Sequence, residues 1–154
     1  MVDLMKKILF LLLLLFIFPL SVFSYDFNIN SNNVILINLN EDKILYEKNS
    51  DSKTYIASLT KIMTADVTLE NINDLKIPEN EYFKDIYKYD LQTSGLRVNN
   101  SYSYEELLYA LLISSGADAA SCLARNIGGS VSNFVKMMND KAKELNLNNT
   151  KFAN

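Results

Sequence analysis

Two short apolar runs predict that the chain contains a β-hairpin. Residues 34–39 are apolar and rich in β-branched side chains, and residues 44–48 form a second apolar run. The sequence between them, at 40–43, is typical of a turn. Apolar runs of this length on either side of polar turn residues are typical of paired strands. A polar loop is predicted to follow at 49–53.

The pattern then changes to the spacing of an α-helix. Between residue 58 and about residue 71, Ile62, Ala65 and Leu69 recur at helical spacing and predict one narrow buried face. Residues 71–100 mix Asn, Asp, Lys and Tyr with only short apolar pieces. We expect this stretch to be rich in loops.

Three further helices are predicted in the second half of the chain. Ser103 and Glu106 have the spacing of a capping box, which predicts a helix that includes the run 107–113. That run is apolar nearly all round, so we expect it to be buried. A break at 114–116 precedes a helix from about residue 117 to the glycine pair at 128–129. The last helix should begin near Ser130 and bury one face, formed by Phe134, Met137, Met138, Ala142 and Leu145.

The first 24 residues have the layout of a secretory signal peptide. Lys6 and Lys7 precede an unbroken apolar run at 8–20, and small residues follow it before Tyr25. The run is short for a membrane span, which needs about 20 residues. We predict a signal peptide at 1–24 and an exported domain at 25–154, in the periplasm, the cell envelope or outside the cell. The alternative is an uncleaved segment that associates with the membrane.

Composition excludes several kinds of chemistry. The 154 residues include no histidine, so neither a Ser-His-Asp triad nor a Cys-His pair can form. The formal net charge of -3 gives no basic field, and nucleic acid is not an expected partner. The single cysteine, Cys122, cannot form an internal disulfide, and we predict that it fills space in a helical core. Activation of a serine would have to use another base, for which lysine is the obvious candidate.

The pattern Ser-x-x-Lys occurs twice, at Ser50/Lys53 and at Ser58/Lys61. A chain of this length should contain about one such match by chance, so the surrounding sequence must decide between them. Ser50 lies in a polar loop where nothing would fix Lys53 or exclude water from it. We therefore expect Ser50 to be an ordinary loop serine.

Ser58 lies at the predicted start of an apolar helix. A helix N-terminus favours negative charge developing on a serine oxygen. Lys61 is three residues further on, so the two side chains share a face. Burial would favour the neutral form of Lys61, which could then accept the Ser58 proton. Locally, a plain helix-start serine beside an exposed lysine fits the sequence equally well.

A second serine lies at the break between two apolar helices. Ser115 follows Ser114 there, and a polar side chain at such a break can face a cleft. Either serine could instead simply cap the following helix.

Three long segments, 34–65, 95–120 and 128–154, resemble the serine-type D-alanyl-D-alanine carboxypeptidases. These are the low-molecular-weight penicillin-binding proteins of peptidase family S11. The resemblance implies an α+β fold of the β-lactamase/transpeptidase (DD-peptidase) type, with an opening β-hairpin followed by a helical region. Only the N-terminal part of that fold is matched, and its C-terminal sheet strands are missing from the match.

The resemblance also implies roles for individual residues. Ser58 would be the acylated nucleophile, Lys61 its general base, and Ser115 the second-motif serine that carries a proton to the leaving group. The Ser58 backbone N–H would form half of an oxyanion hole. The substrate would be the D-Ala-D-Ala end of a peptidoglycan stem peptide, with β-lactams as inhibitors. No metal or cofactor is implied.

Two features depart from the family pattern. The second motif is usually Ser-x-Asn, and here Ala117 stands at the Asn position, so a substrate contact is lost unless Asp118 or Asn126 replaces it. The third motif, Lys-Thr/Ser-Gly, does not occur in the sequence. We expect the hairpin to expose one edge and one apolar face as a result.

The two departures from the family pattern leave two other functions open. One is a non-catalytic remnant, or a module that binds peptidoglycan or penicillin without turning it over. The other is a hydrolase resembling class A β-lactamases, which share the fold and Ser-x-x-Lys. In those enzymes the second motif is Ser-Asp-Asn. The sequence here is Ser115-Gly116-Ala117, which argues against this interpretation.

Overall fold

The structure is a computed structural model that describes residues 5–7, 28–72, 91–97 and 100–153. Its contacts divide the chain into two compact units, Met1–Lys53 and Thr54–Asn154. Most of the predicted signal peptide and residues 73–90 of the loop-rich stretch lie outside the described residues. None of the helices in the part that is described is long and apolar enough to cross a membrane.

The first unit contains the predicted hairpin. Strand β1, Val34–Asn38, pairs antiparallel with strand β2, Lys43–Lys48. The pairing shifts by one residue between Leu36 and Ile37, because Leu36 lies opposite Tyr46 and Ile37 lies opposite Ile44. Strand β2 therefore has one extra residue at this point. This irregularity is a β-bulge, which increases the local twist of the strands.

The apolar side chains of the hairpin are more exposed than the sequence predicts. Ile35 and Ile37 point to one face of β1 and Leu36 to the other, and all three are 40% or more exposed. The expected exposed apolar face is therefore present, and the opposite face of β1 carries an exposed apolar side chain as well.

The second unit is helical. A 3-10 turn at Ala57–Leu59 leads into helix α1, Thr60–Asn71. Helices α2, Tyr104–Leu112, α3, Ala117–Gly128, and α4, Val131–Glu144, follow. Together with the antiparallel hairpin, these helices confirm the predicted α+β composition.

Local signals in the sequence set the helix ends where they were expected. Ser103 Oγ accepts a hydrogen bond from the Glu106 N–H, and the Glu106 carboxylate accepts one from the Ser103 N–H, which completes the capping box. The Ser103 N–H and the Ser103 hydroxyl both donate to the Glu106 carboxylate, and they hold the pKa of Glu106 below its ordinary value. Gly129 ends α3 in the left-handed conformation with φ of 72°, which a residue with a Cβ rarely adopts. Ser130 caps α4 by accepting from the Asn133 N–H.

Helix α1 buries a different face from the predicted one. Ile62 and Leu69 are 62% and 63% exposed, so their assignment to the buried face was wrong, although Ala65 is buried. The buried face includes Thr64 and Thr68. Each threonine hydroxyl donates to the backbone carbonyl four residues earlier, which satisfies the polar group and lets the rest of the side chain pack.

Helix α3 lies at the centre of the second unit and contributes to both of its apolar clusters. The first cluster joins α1, α2, α3 and the 91–97 loop through Ala65, Leu96, Leu107, Leu111, Ala119, Cys122 and Leu123. The second joins α1, α3, α4 and the C-terminal segment through Met63, Val67, Ala124, Phe134, Met138, Ala142 and Phe152.

Two predictions about buried helix faces need correction. Helix α2 is buried on one side only, because Tyr109, Leu112 and the following Ile113 are 53% or more exposed. On α4, Leu145 lies just beyond the helix end and is 47% exposed, while Phe134 is buried as expected.

Candidate active site

Ser58 lies in the 3-10 turn immediately before α1, rather than within the α-helix itself. The preceding residue, Ala57, has φ of 46°. Positive φ is uncommon for a residue with a Cβ, and such strained positions cluster at functional sites. The turn places Ser58 at the N-terminal end of α1, where the helix dipole favours negative charge.

The structure brings the three predicted site residues together. Lys61 Nζ donates to Ser58 Oγ at 3.5 Å, across one turn of the chain. Ser115 Oγ donates to Ser58 Oγ at 2.9 Å, although 57 residues separate the two serines. The Ser58 oxygen therefore lies between a lysine amine and a second hydroxyl, both within hydrogen-bond reach.

Ser115 occupies a second strained turn. Its φ is 54°, in the left-handed region. The residue that caps the N-terminus of α3 is Gly116 rather than a serine. The structure therefore does not support the alternative in which Ser115 is merely a helix cap. The Gly116 N–H donates to the Ala110 carbonyl at 3.1 Å, which fastens this turn to α2.

A shallow, mostly apolar cavity of about 430 Å³ opens at Ser58, Lys61 and Ser115. Its walls come from the Ser58 turn, from α1 and from the end of α2. The apolar lining residues are Ile56, Leu59, Ile62, Leu111 and Leu112. The cavity therefore combines two hydroxyl groups and an amine with an apolar lining.

The burial that was expected to neutralise Lys61 is only partial. Ser58 is exposed and Lys61 is half-buried. Within the residues that the structure describes, the two side chains therefore have the geometry of a nucleophile and a base, but not the dry surroundings.

Both residues suggested as a replacement for the missing amide at Ala117 make hydrogen bonds elsewhere in this structure. The Asp118 carboxylate is fully buried and accepts bonds from the Ser94 and Leu96 N–H groups. The Asn126 side-chain amide donates to the Cys122 carbonyl at 2.8 Å, one helical turn back. Either residue would have to leave these bonds to take over the contact, so the loss of the contact, or its replacement by Asp118 or Asn126 through a rearrangement, stays a prediction.

Ser50 is placed as an ordinary loop serine would be. It lies in the other unit, and its hydroxyl donates to the Glu47 carboxylate at 3.0 Å. Lys53 is exposed. The choice of Ser58 over Ser50 thus agrees with the surroundings of each serine.

Cys122 packs in the core as predicted. Its side chain is fully buried in the first apolar cluster. Burial raises the pKa of the thiol to about 12, and the neighbouring Asp118 charge acts in the same direction. A thiol in this state is a packing group rather than a nucleophile.

Sequence reasoning missed the structural role of Asp118 and Ser94. Their contacts join the 91–97 loop to the start of α3, next to Ser115. The available signal was an acidic residue within an otherwise small and apolar helix start, where a charge is retained only if its hydrogen bonds are satisfied.

Comparison with known proteins places these features in a family. The profile of the D-alanyl-D-alanine carboxypeptidase family matches residues 21–154. The D-alanyl-D-alanine carboxypeptidase DacF of Bacillus subtilis (strain 168) is 36% identical over 124 residues, which are 78% of this chain and 32% of that protein. The D-alanyl-D-alanine endopeptidase of Escherichia coli (strain K12) is 35% identical over 123 residues, 77% of this chain and 38% of that protein. The chain thus spans about a third of the length of these curated relatives.

Solved structures confirm the predicted fold. The Streptomyces K15 DD-transpeptidase superposes with a TM-score of 0.77 at 31% identity, covering 84% of this chain and 53% of that one. Penicillin binding protein 5 from Haemophilus influenzae superposes with a TM-score of 0.70 at 30% identity, covering 84% of this chain and 40% of that one. The fold is therefore the incomplete α+β DD-peptidase fold that the resemblance implied.

Proposed function

Because the chain belongs to the D-alanyl-D-alanine carboxypeptidase family, peptidase family S11, we propose that it acts on the D-Ala-D-Ala ends of peptidoglycan stem peptides. The reaction is an acyl transfer through Ser58, and β-lactams acylate the same serine. The observation that supports this most directly is the hydrogen bonding of Ser58 Oγ to both Lys61 and Ser115.

In the proposed reaction, Ser58 Oγ attacks the carbonyl carbon of the penultimate D-alanine while its proton passes to Lys61 Nζ. Negative charge collects on the carbonyl oxygen, and the Ser58 backbone N–H is one donor to it. The peptide bond then breaks, and the nitrogen of the terminal D-alanine receives a proton by way of the Ser115 hydroxyl. Water attacks the resulting ester, which releases the shortened peptide and restores Ser58.

Lys61 must be neutral to act as the base. A lysine amine loses its charge when it is desolvated or placed near another cation. Because Lys61 is half-buried, a substrate that fills the cavity would remove more water from the amine. Occupation of the site would then give Lys61 the drier surroundings that a general base requires.

Release of D-alanine from a synthetic peptide that ends in D-Ala-D-Ala tests this function. We expect release by the chain and by the Ser50→Ala variant, and none by Ser58→Ala. A control peptide that ends in L-Ala-L-Ala should not be cleaved. Release that survives in Ser58→Ala would contradict the assignment of the nucleophile.

One observation favours a second candidate function, a non-catalytic module that binds such peptides. Ser58 is exposed and Lys61 is only half-buried, so the described residues alone leave the site open to water. A folded chain that releases no D-alanine but shows saturable shifts in its NMR spectrum with the D-Ala-D-Ala peptide would support this candidate over the enzyme.

We also propose that the protein is exported. The basic, apolar and small-residue pattern of residues 1–24 supports a signal peptide, and the proposed substrate lies outside the cytoplasmic membrane. N-terminal sequencing of the protein secreted by its host tests this, with Tyr25 as the expected first residue. A chain that retains residues 1–24 in the membrane fraction would instead support an uncleaved anchor.

A further inference from the structure

The Asp118 carboxylate fastens a loop against the turn that carries Ser115. Asp118 is 0% exposed and lies in the first turn of α3. Its Oδ1 accepts from the Ser94 N–H and the Ser94 hydroxyl, both at 2.9 Å, and from the Ala119 N–H at 3.0 Å. Its Oδ2 accepts from the Ser94 and Leu96 N–H groups, both at 3.2 Å. A buried charge requires such complete hydrogen bonding, and here every partner is a donor.

Gly116 is required at the centre of this contact. A Cβ at that position would lie 2.6 Å from Asp118 Oδ1 and 2.8 Å from the Ser94 Oγ and Cβ atoms. These distances are too short for any side chain. The absence of a side chain at Gly116 is therefore what lets Ser94 and Asp118 close over the backbone next to Ser115.

The same loop holds the Ser115 turn on its other sides. The Ala117 N–H donates to the Gln92 carbonyl at 2.8 Å, and the Gln92 side-chain amide donates to the Ser114 carbonyl at 2.9 Å. Leu96 anchors the loop in the first apolar cluster. The residues on both sides of Ser115 are thus bound to the 91–97 loop, while Ser115 itself has the strained φ of 54°.

From these contacts we propose that Asp118 is a positioning residue that holds the Ser115 hydroxyl against Ser58. Backbone strain at a residue persists only where the surroundings over-determine the conformation. The Asp118, Ser94 and Gly116 contact, which we call the Asp118 lock, supplies that constraint from a residue that does not touch Ser58. The reactive role of Ser115 rests on the proposed function, but its placement by the lock does not.

A disulfide assay measures this placement without any enzyme activity. In a Ser58→Cys/Ser115→Cys variant, two thiols replace hydroxyls whose oxygens are 2.9 Å apart. Oxidised glutathione takes up the two electrons when the thiols join, and Cys122 is buried and does not compete. The rate of cross-linking then reports how well the Ser115 turn is held, and non-reducing peptide maps identify the bond.

The test adds Asp118→Asn to this variant, with Asp140→Asn as the matched control. The amide keeps the size of the carboxylate but turns an NH₂ group towards N–H donors. Asp140 is an exposed carboxylate on α4 that pairs with Lys136 and Lys143, away from the lock. We expect Asp118→Asn to slow cross-linking by about tenfold or more and Asp140→Asn to leave it unchanged, because small displacements of reacting groups have large effects on rate.

In the chain that retains Ser58 and Ser115, Asp118→Asn should lower the rate constant for acylation by penicillin. It should leave the dissociation constant of the penicillin unchanged. A general loss of structure would change both. If the chain forms no adduct at all, the proposed function fails while the cross-linking result still tests the lock.

Circular dichroism and thermal unfolding establish that each variant is folded. A folded Asp118→Asn variant that cross-links at the unchanged rate overturns the proposal. If Asp118→Asn does not fold, Ser94→Ala decides, since it removes only the bond between Ser94 Oγ and Asp118 Oδ1. We expect that variant to cross-link measurably more slowly, and an unchanged rate in it would overturn the proposal equally.

Discussion

The Ser115 hydroxyl donates a 2.9 Å hydrogen bond to the Ser58 hydroxyl across 57 residues of sequence. Both serines belong to turns with positive φ, at Ala57 for the first and at Ser115 itself for the second. The apolar cluster shared by α1, α2 and α3 brings those turns together. The proposed site is therefore a product of helix packing within the second unit.

Removal of the Ser115 hydroxyl should slow acylation without unfolding the protein. We expect Ser115→Ala to lower the rate constant for penicillin acylation by about a hundredfold, the usual contribution of a positioned proton-transfer group. The measurement is the rate of adduct formation by mass spectrometry. Ser114→Ala is the matched control, because Ser114 is the exposed neighbour and its side chain does not line the cavity. Equal rates for the two variants would remove Ser115 from the mechanism.

Cys122 should be unreactive in the folded protein. With a pKa of about 12, only roughly one thiol in ten thousand is ionised at pH 8, and the side chain is fully buried. Iodoacetamide should therefore modify Cys122 only as fast as the protein unfolds. Ser58→Cys provides an exposed thiol as a control and should react within the first minutes of the same assay. Fast labelling of Cys122 under native conditions would contradict the packing described here.

The same thiol predicts how stability depends on pH. Its pKa is higher in the folded protein than the ordinary 9.0, so the unfolded chain releases this proton first. The free energy of unfolding should therefore fall as the pH rises from 9 towards 12. Denaturant titrations of the protein and of Cys122→Ala at pH 8 and pH 10 measure this, and the fall should be smaller in Cys122→Ala. A fall of equal size in both would assign it to other groups.

Two apolar residues should differ sharply in their contribution to stability. Phe134 is 2% exposed and packs in the second apolar cluster, so Phe134→Ala should lower the free energy of unfolding by about 3–5 kcal/mol. Leu69 is 63% exposed, and Leu69→Ala should change that free energy by less than about 0.5 kcal/mol. Denaturant titration measures both. A large loss of stability in Leu69→Ala would instead support the buried helix face that the sequence pattern indicates.

Local features of the fold could be predicted because local chemistry determines them. The Ser103 and Glu106 capping box, the Gly129 helix end and the turn between β1 and β2 each depend on a few neighbouring residues. The buried face of α1 was mispredicted because Thr64 and Thr68 satisfy their own hydroxyls and pack like apolar residues. A prediction from the spacing of apolar residues overlooks these two threonines, because it considers only apolar side chains.

The site could be predicted only in part. Lys61 follows Ser58 by three residues, so their proximity follows from helical geometry, whereas the Ser58–Ser115 contact depends on tertiary packing that no local pattern specifies. The break between two apolar helices made Ser115 a candidate, and the resemblance to a family then implied its role. The Asp118 lock was missed because its partner Ser94 lies 24 residues away, in a stretch with no periodic pattern.

The most direct test of Ser58 as the nucleophile is the intact mass of the chain after incubation with a labelled penicillin. We predict a single adduct on the peptide that contains Ser58, retained in Ser50→Ala and absent from Ser58→Ala. An adduct that persists in Ser58→Ala, or a folded chain that forms none, would contradict the account.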